Sequence, residues 1–395
     1  MTEPTGSILI HHLKPRNFLS FGSENNGIDL VALNVFIGPN GSGKSNLIEA
    51  ISLLRAAPKD FADVTRKGGG VTEWIWKGDP KGVASVDVVI EHPHSEIPLR
   101  HVIEFRSEAQ RFKLVDERVT ESIEPPWGGD AISYYHGLKD GKPMVLTATG
   151  AERSVSEALV RPDCSIVGQL FDPSSFAELA SLSQNYEKVR IYREWAFGRS
   201  AVFREPQQAD MRNNFLEDDF SNLGLFLSKL RKTPKAKKAI IENLRKLYDG
   251  LTDFEVVAEG GSVQVFFTEG DFVIPATRLS DGTLRFLCLL AILCDPEPPP
   301  LICIEEPELG LHPDILPTVA DLLKSASEQT QIIVTTHSDI LVDAMTDCPE
   351  SVVVCEKHKG QTEMTRLSAS ELAVWLEKYR LGQLWIQGQL GGTRW

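Results

Sequence analysis

The sequence predicts an α/β fold of 395 residues, with a parallel β-sheet core, an antiparallel β lobe and a helical insert. Three observations predict it. The octapeptide "GPNGSGKS", Gly38 to Ser45, stands between a short apolar strand pattern and an amphipathic helix pattern. The run "LICIEEPELGLHP" ends four apolar residues on Glu305 and Glu306, as a buried parallel strand would. Between these lie "VASVDVVIEH", "LRHVIEFRS" and "RFKLVDERV", short and partly alternating, which suit antiparallel strands.

Composition bounds what such a chain can be. With 42% hydrophobic residues there is ample material for the core of one or two domains. No stretch reaches the roughly 18 apolar residues of a membrane span, and "MTEPTGSILIHHLKPRNF" lacks the blocks of a signal peptide, so a cytoplasmic location without a membrane partner is expected. Cys164, Cys288, Cys294, Cys303, Cys348 and Cys355 show no CxxC spacing and read as reduced, mostly buried thiols. The net charge of -14 repels nucleic acid on average, so contact with DNA would need a local basic patch.

Taken in chain order, Val35 to Ile37 read as a strand, and Leu47, Ile48, Ile51 and Leu54 fall on one face of the following helix, which Pro58 ends. The loop glycines let backbone N–H groups point inward, Lys44 can reach terminal phosphates, Ser45 can ligate magnesium, and the helix N-terminus adds its dipole. This is a phosphate cradle. A buried carboxylate needs compensation, and magnesium with Lys44 is expected to supply it. Glu305 would then hold the metal directly or through water, and Glu306 would orient or deprotonate the water that attacks the terminal phosphate.

Upstream of the acidic strand, "LSDG" opens a helix that is apolar nearly all round from Leu284 to Leu293 and stops at "DPEPPP". Ser280, the Gly282 backbone and that helix N-terminus make a second anion site. One nucleotide needs one cradle, so the second site suits a nucleotide held by another subunit. "QIIVTTHSD" ends an apolar strand on His337, placed to contact a terminal phosphate. Read singly, LSDG is a helix cap and His337 a strand-end polar residue; their order around the acidic strand favours the functional reading.

With these motifs the chain resembles the ABC-type ATPase heads of the RecF, SMC and OLD group, P-loop proteins, and most closely the stand-alone bacterial AAA-family ATPases that lack a Toprim domain. The resemblance runs from "LKPRNFLSFG" through "EEPELGLHP" and "VTTHSD" to "YRLGQLWIQGQLGGTRW". It implies a head-to-head homodimer, or higher homo-oligomer, with ATP and Mg2+ sandwiched between one subunit's loop and the other's signature. Gly38, Pro39, Asn40, Gly41, Ser42, Gly43, Lys44, Ser45 and Asn46 would bind the nucleotide, and Ser45 and Glu305 the metal. Glu306 would be the catalytic carboxylate with Lys44 and the switch histidine His337 beside it, while Ser280 and Gly282 act in trans. Two features depart from relatives: glutamate replaces the usual aspartate at 305, and the glutamine loop is obscure, with Gln169 its candidate against the favoured reading of an exposed loop glutamine.

The remaining chain divides, on this reading, into 1–125 (loop and antiparallel lobe), a mostly helical insert at 126–254, and 255–395 (signature, acidic strand and His337). "IEPPWGGD" breaks the first part, and "NLGLFLSKLRKTPKAKKAIIENLRKLYDG" is the clearest helical piece. "FEVVAEGGSVQVFFTEG" returns to strands. No heptad pattern persists, which excludes long coiled-coil arms. Lys229, Arg231, Lys232, Lys235, Lys237 and Lys238 are a candidate surface for DNA or an acidic partner, against the reading of a solvated helix face without stacking aromatics. Trp375 and Trp385 are expected to pack, and Trp395 is open. Without an NKxD motif ATP is favoured over GTP, and with about 56 residues after "THSD" no Toprim nuclease is expected in this chain. The resemblance implies a separate effector, often Toprim-like, in anti-phage defence or DNA metabolism. The alternatives are a RecF-like DNA-repair clamp and a weakly hydrolysing, nucleotide-locked scaffold.

Overall fold

Period-two side chains set the first sheet. In this computed structural model the described residues are 7–122, 131–137, 142–155, 161, 163–195, 198, 201 and 204–392. Numbered along the chain, β1 (Ile10–Arg16), β2 (Ile28–Asp29), β4 (Ala84–Ile90), β5 (Leu99–Glu108), β6 (Arg111–Glu121), β7 (Ser133–His136), β8 (Met144–Leu146) and β9 (Glu152–Ser154) form an antiparallel sheet in the order β2-β1-β4-β5-β6-β7-β8-β9. Its longest strand, β6, alternates buried and half-buried positions along most of its length, as one-sided burial requires.

The central sheet is built differently. β3 (Leu33–Ile37), β10 (Arg190–Tyr192), β15 (Leu301–Glu305), β16 (Gln331–Thr335), β17 (Val352–His358) and β18 (Gln361–Arg366) stand in the order β10-β15-β16-β3-β17-β18, parallel except for the β17/β18 hairpin. β3 and β16 are buried at every residue, which explains their mostly apolar sequences, with Asn34, Gln331 and Thr335 the buried polar exceptions. Because the five strands are parallel, their C-terminal ends share one edge, which delivers Gly38, Arg193, Glu306 and His337 to the same side.

A third, small sheet holds β11 (Gln207–Gln208), β12 (Leu251–Glu259), β13 (Ser262–Glu269) and β14 (Phe272–Pro275). Helices Leu223–Arg231 and Pro234–Leu247 cover it through Phe226, Leu230, Ile240 and Leu244, all buried in the same cluster as Phe254 and Phe267.

The span 126–254, expected to be mostly helical, carries strands as well as helices. Among its described residues β7–β9 extend the antiparallel sheet, and β10 completes the central one, alongside helices Ala177–Lys188, Leu223–Arg231 and Pro234–Leu247. Strands of three or four residues, "MVL" or "RIY", are too short for a two-residue period to register. The break "IEPPWGGD" (123–130) and Trp395 lie outside the described residues. Trp385 packs as expected, 4% exposed, but Trp375 does not: it is 45% exposed on helix Ala369–Leu376, which has no buried residue. The six cysteines are unpaired, and among the described residues no helix is long and apolar enough to cross a membrane.

Side-chain contacts join the two large sheets, among them those of Gln331. Gln331, fully buried at the start of β16, donates from Nε2 to the Ile10 carbonyl (2.7 Å) and the Val31 carbonyl (3.2 Å), and accepts from the Ile10 amide (2.9 Å). Gln331→Leu would leave the Ile10 amide without that acceptor in the interior. We expect a loss of about 2–4 kcal/mol in chemical denaturation; a loss below about 1 kcal/mol would show that the two sheets do not depend on this bridge.

Candidate functional site

The loop after β3 folds as a cradle because its glycines sit where side chains cannot. Gly38 has φ +143°, and a Cβ there would stand 2.2 Å from the Cys355 carbonyl oxygen; at Gly43, φ +101°, it would stand 2.1 Å from Thr362 Oγ1. Behind the loop, Thr362 donates to the Ser42 carbonyl (2.7 Å), and Asn46 Nδ2 donates to Ser20 Oγ (2.7 Å). The helix Lys44–Ala56 begins directly after Gly43 and buries Leu47, Ile48, Ile51 and Leu54, the predicted face. Lys44, 6% exposed, donates from Nζ to the carbonyls of Gly38 (2.8 Å) and Pro39 (3.0 Å), so its ammonium lies inside the loop. Asn40 and Gly41 form the exposed lip, and a Cβ at Gly41 would meet nothing within 4 Å.

Across the loop stands the acidic strand. Ser45 Oγ donates to Glu305 Oε2 at 3.0 Å, a contact spanning 260 residues of sequence. Burial pushes the Glu305 carboxyl up, opposed by Arg193 and by the Ser45 hydrogen bond. Its other oxygen, Oε1, is buried without a hydrogen bond and lies 3.5 Å from Arg193 Nε. A serine hydroxyl and a carboxylate oxygen in contact, with a second carboxylate oxygen unsatisfied, are hard oxygen donors of the kind magnesium takes. The residues present therefore fit that ion. The cation beside Glu305 is Arg193, and no local sequence pattern places its guanidinium there.

Glu306 is held by its backbone. Its φ of +46° is left-handed, uncommon for a residue with a side chain. Its amide donates to the Thr335 carbonyl (2.9 Å), and its carbonyl accepts from the Arg285 guanidinium (2.7 Å). Arg285, 1% exposed in the helix Asp281–Leu293, stacks on Trp195 at 4.1 Å from the ring centroid, and burial pushes its pKa down to about 10. Trp195 in turn donates from Nε1 to the Glu305 carbonyl (2.8 Å). Glu306 Oε1 lies 3.5 Å from His337 Nε2. Glu308, the third acid of the run, accepts from the His337 amide and from Thr336 Oγ1, both at 2.8 Å.

The fold therefore brings Lys44, Ser45, Glu305, Glu306 and His337 to one edge. Ser280 and Gly282 stand apart from this group, on a different element. Ser280 caps its helix, accepting from the Thr283 amide at 3.1 Å. An open groove of about 770 Å³ beside it is lined by Tyr248, Arg278, Gly282, Gly310 and His312, within the size range of small-molecule sites. Arg204 holds this loop from behind, donating to the carbonyls of Thr277 (3.1 Å) and Leu279 (2.8 Å) and pairing with Asp281 (2.5 Å).

Gln169 does not reach the cradle through any recorded contact. Its amide closes its own turn, accepting from the Arg161 amide (3.0 Å) and donating to the Cys164 carbonyl (3.1 Å). The basic residues of 229–238 are largely spent inside the chain: Lys229 faces Asp295 (3.9 Å), Arg231 faces Glu255 (3.7 Å), Lys237 binds Asp253 (2.8 Å), and Lys238 faces Glu242 (3.7 Å). Missed by sequence reasoning were Arg193, Trp195, Arg285 and Thr362. Only Arg285 carried a signal, a lone charge in the otherwise apolar run Leu284 to Leu293.

Comparison with known proteins bears on the fold and family of the chain. The profile of the family described as "AAA domain, putative AbiEii toxin, Type IV TA system" matches residues 33–156 and 171–343. Among solved structures, an SMC head bound to the C-winged helix domain of ScpA is similar with a TM-score of 0.58 at 15% identity, covering 92% of this chain and 99% of that chain. An SMC head with an extended coiled coil, bound to the C-terminal domain of ScpA and derived from Pyrococcus furiosus, gives 0.57 at 13%, covering 94% and 99%. An SMC head with coiled coil and joint derived from Pyrococcus yayanosii gives 0.50 at 14%, covering 94% and 99%. No curated protein matches the sequence. At such identities the likeness is one of fold, that of the ABC-type P-loop ATPase head. Because the family profile covers most of its length, the chain belongs to this AAA-domain family.

Proposed function

We propose that the protein is a magnesium-dependent ATPase in which two copies close head-to-head around ATP and thereby control a separate effector protein. The observation that carries this reading is the Ser45–Glu305 contact beside the Lys44 cradle, with the Glu306 carboxylate next to His337. The loop amides and Lys44 would bind the terminal phosphates. Ser45 and Glu305 would hold the magnesium ion, which when bound neutralises developing phosphate charge. Glu306 would accept the proton of the attacking water, and His337 would donate a hydrogen bond toward the terminal phosphate. Ser280 and the Gly282 amide, on a groove remote in sequence from the cradle, suit the ATP of a second copy.

A separate partner is supported by two of the similar SMC heads, which are described in complex with part of ScpA. The family description, with its toxin and toxin–antitoxin terms, supports a role in defence. Acids elsewhere in the chain face Lys229, Arg231, Lys237 and Lys238 and offset part of the positive charge that a directly loading DNA clamp would use, which supports a protein effector over nucleic acid.

Lys44→Ala is expected to abolish ATP binding in calorimetry; micromolar binding by the variant would contradict the cradle. Glu306→Gln should bind ATP normally, hydrolyse it about 10²-fold more slowly and accumulate the ATP-bound dimer. Unchanged turnover would move the general base elsewhere. Ser280→Asp keeps a good helix cap but sets a carboxylate against any phosphate. It should fold and bind ATP as a monomer yet show no ATP-dependent association in sedimentation; association at the parental level would exclude the cap from the dimer.

A further inference from the structure

We propose that Arg193 is a built-in counter-cation of the Glu305 site, which keeps a divalent ion from binding until nucleotide phosphate arrives. The inference rests on the reading of Glu305 as the metal-side carboxylate. Strand register fixes where Arg193 stands: Tyr192 of β10 pairs with Ile304 of β15, so the next residue of each strand, Arg193 and Glu305, leave the sheet side by side. Tyr192 is itself anchored, its hydroxyl donating to the Leu216 carbonyl at 2.9 Å inside the core. The arginine therefore reaches the site from a rigid strand end.

The guanidinium spreads over three partners. Nε lies 3.5 Å from Glu305 Oε1, one terminal nitrogen donates to Glu49 Oε1 at 2.5 Å, and the other donates to Ser52 Oγ at 3.0 Å. Glu49 and Ser52 belong to the helix that starts at Lys44, so one side chain ties the phosphate-loop helix to the acidic strand. Glu49, Arg193 and Glu305 are each between 17% and 27% exposed at their side chains, so solvent screens this cluster less than it screens surface pairs. A guanidinium stays charged across the accessible pH range.

Two carboxylates around one cation leave a single negative charge, weak attraction for a dehydrated divalent ion. Phosphate oxygens held by the loop would add the missing charge and the missing ligands. Without Arg193 the same carboxylates would present two negative charges beside Ser45 at all times. Metal binding would then no longer wait for nucleotide, and the thermodynamic coupling between the two would shrink.

The test is Mn2+ binding, followed by electron paramagnetic resonance, to the full chain with and without ATP. Wild type should bind Mn2+ at this site only with ATP. Arg193→Gln should bind it without ATP at least tenfold more tightly, about 1.4 kcal/mol, and Arg193→Gln combined with Glu305→Gln should lose that gain. Arg193→Lys, which keeps the charge, should behave as wild type and keeps the test decisive if Arg193→Gln does not fold. An Arg193→Gln affinity within twofold of wild type, a gain that survives loss of the Glu305 charge, a gain in Arg193→Lys, or nucleotide-free wild type binding as tightly as the ATP-bound chain would each overturn the proposal. Wild type that binds no Mn2+ even with ATP would instead refute the metal-side reading of Glu305, and this inference with it.

Discussion

A carboxylate at the end of a buried strand is the constraint on which the rest of the site depends. β15 carries Leu301 to Ile304 through the core with almost no exposure, and Glu305 follows at the sheet edge. Burial alone pushes its carboxyl toward the neutral acid. Ser45 and Arg193 act in the opposite direction, one from the phosphate-loop helix and one from the edge strand. The carboxylate thus stays useful only because two distant segments converge on it, and that convergence fixes the loop helix against the acidic strand.

Sheet order explains how the neighbouring groups are held. β16 lies between β3 and β15, so its end places Thr335, Thr336 and His337 between the phosphate loop and the acids. Glu306 turns into the left-handed region to follow this edge, and both its backbone polar groups are captured, by the Thr335 carbonyl and by Arg285. Strained backbone persists where its surroundings over-determine it. Glu308 then fixes the His337 amide, so the acid and the imidazole beside it are positioned by backbone contacts as well as by side-chain packing.

Local patterns were legible wherever an element was long or its chemistry was carried by consecutive residues. GPNGSGKS, LICIEE, LSDG and THSD each state strand, turn or cap within a few positions, and all four lie where their patterns imply. The partners of these motifs were not legible. Arg193 comes 112 residues before Glu305 and follows a three-residue strand with no detectable period; Thr362 supports the phosphate loop from 320 residues beyond Ser42. Such contacts are created by sheet order, which no single window of sequence contains. The ion pairs of the basic stretch 229–238 were illegible for the related reason that its acidic partners Asp253, Glu255 and Asp295 are supplied by other elements.

The stretch that follows β10 shows how the two chemical ends of the chain are held in one frame. Arg193 meets Glu305 and Glu49, Trp195 supports the Glu305 carbonyl and the Arg285 guanidinium, the Gly198 amide donates to Asp281 (3.2 Å), and Arg204 binds Asp281 and the carbonyls before Ser280. Arg285 and Asp281 share one helix, four residues apart, and the first of them also holds Glu306. The acids and the Ser280 cap are therefore tied twice, once through that helix and once through contacts of Arg193, Trp195, Gly198 and Arg204. With Asp281 and Arg285 both held at its N-terminal end, the helix cannot shift its cap without disturbing either the Glu306 carbonyl or the Trp195 ring. Such contiguity would give a cap engaged by a second copy, as proposed, a physical route to the carboxylates of its own chain.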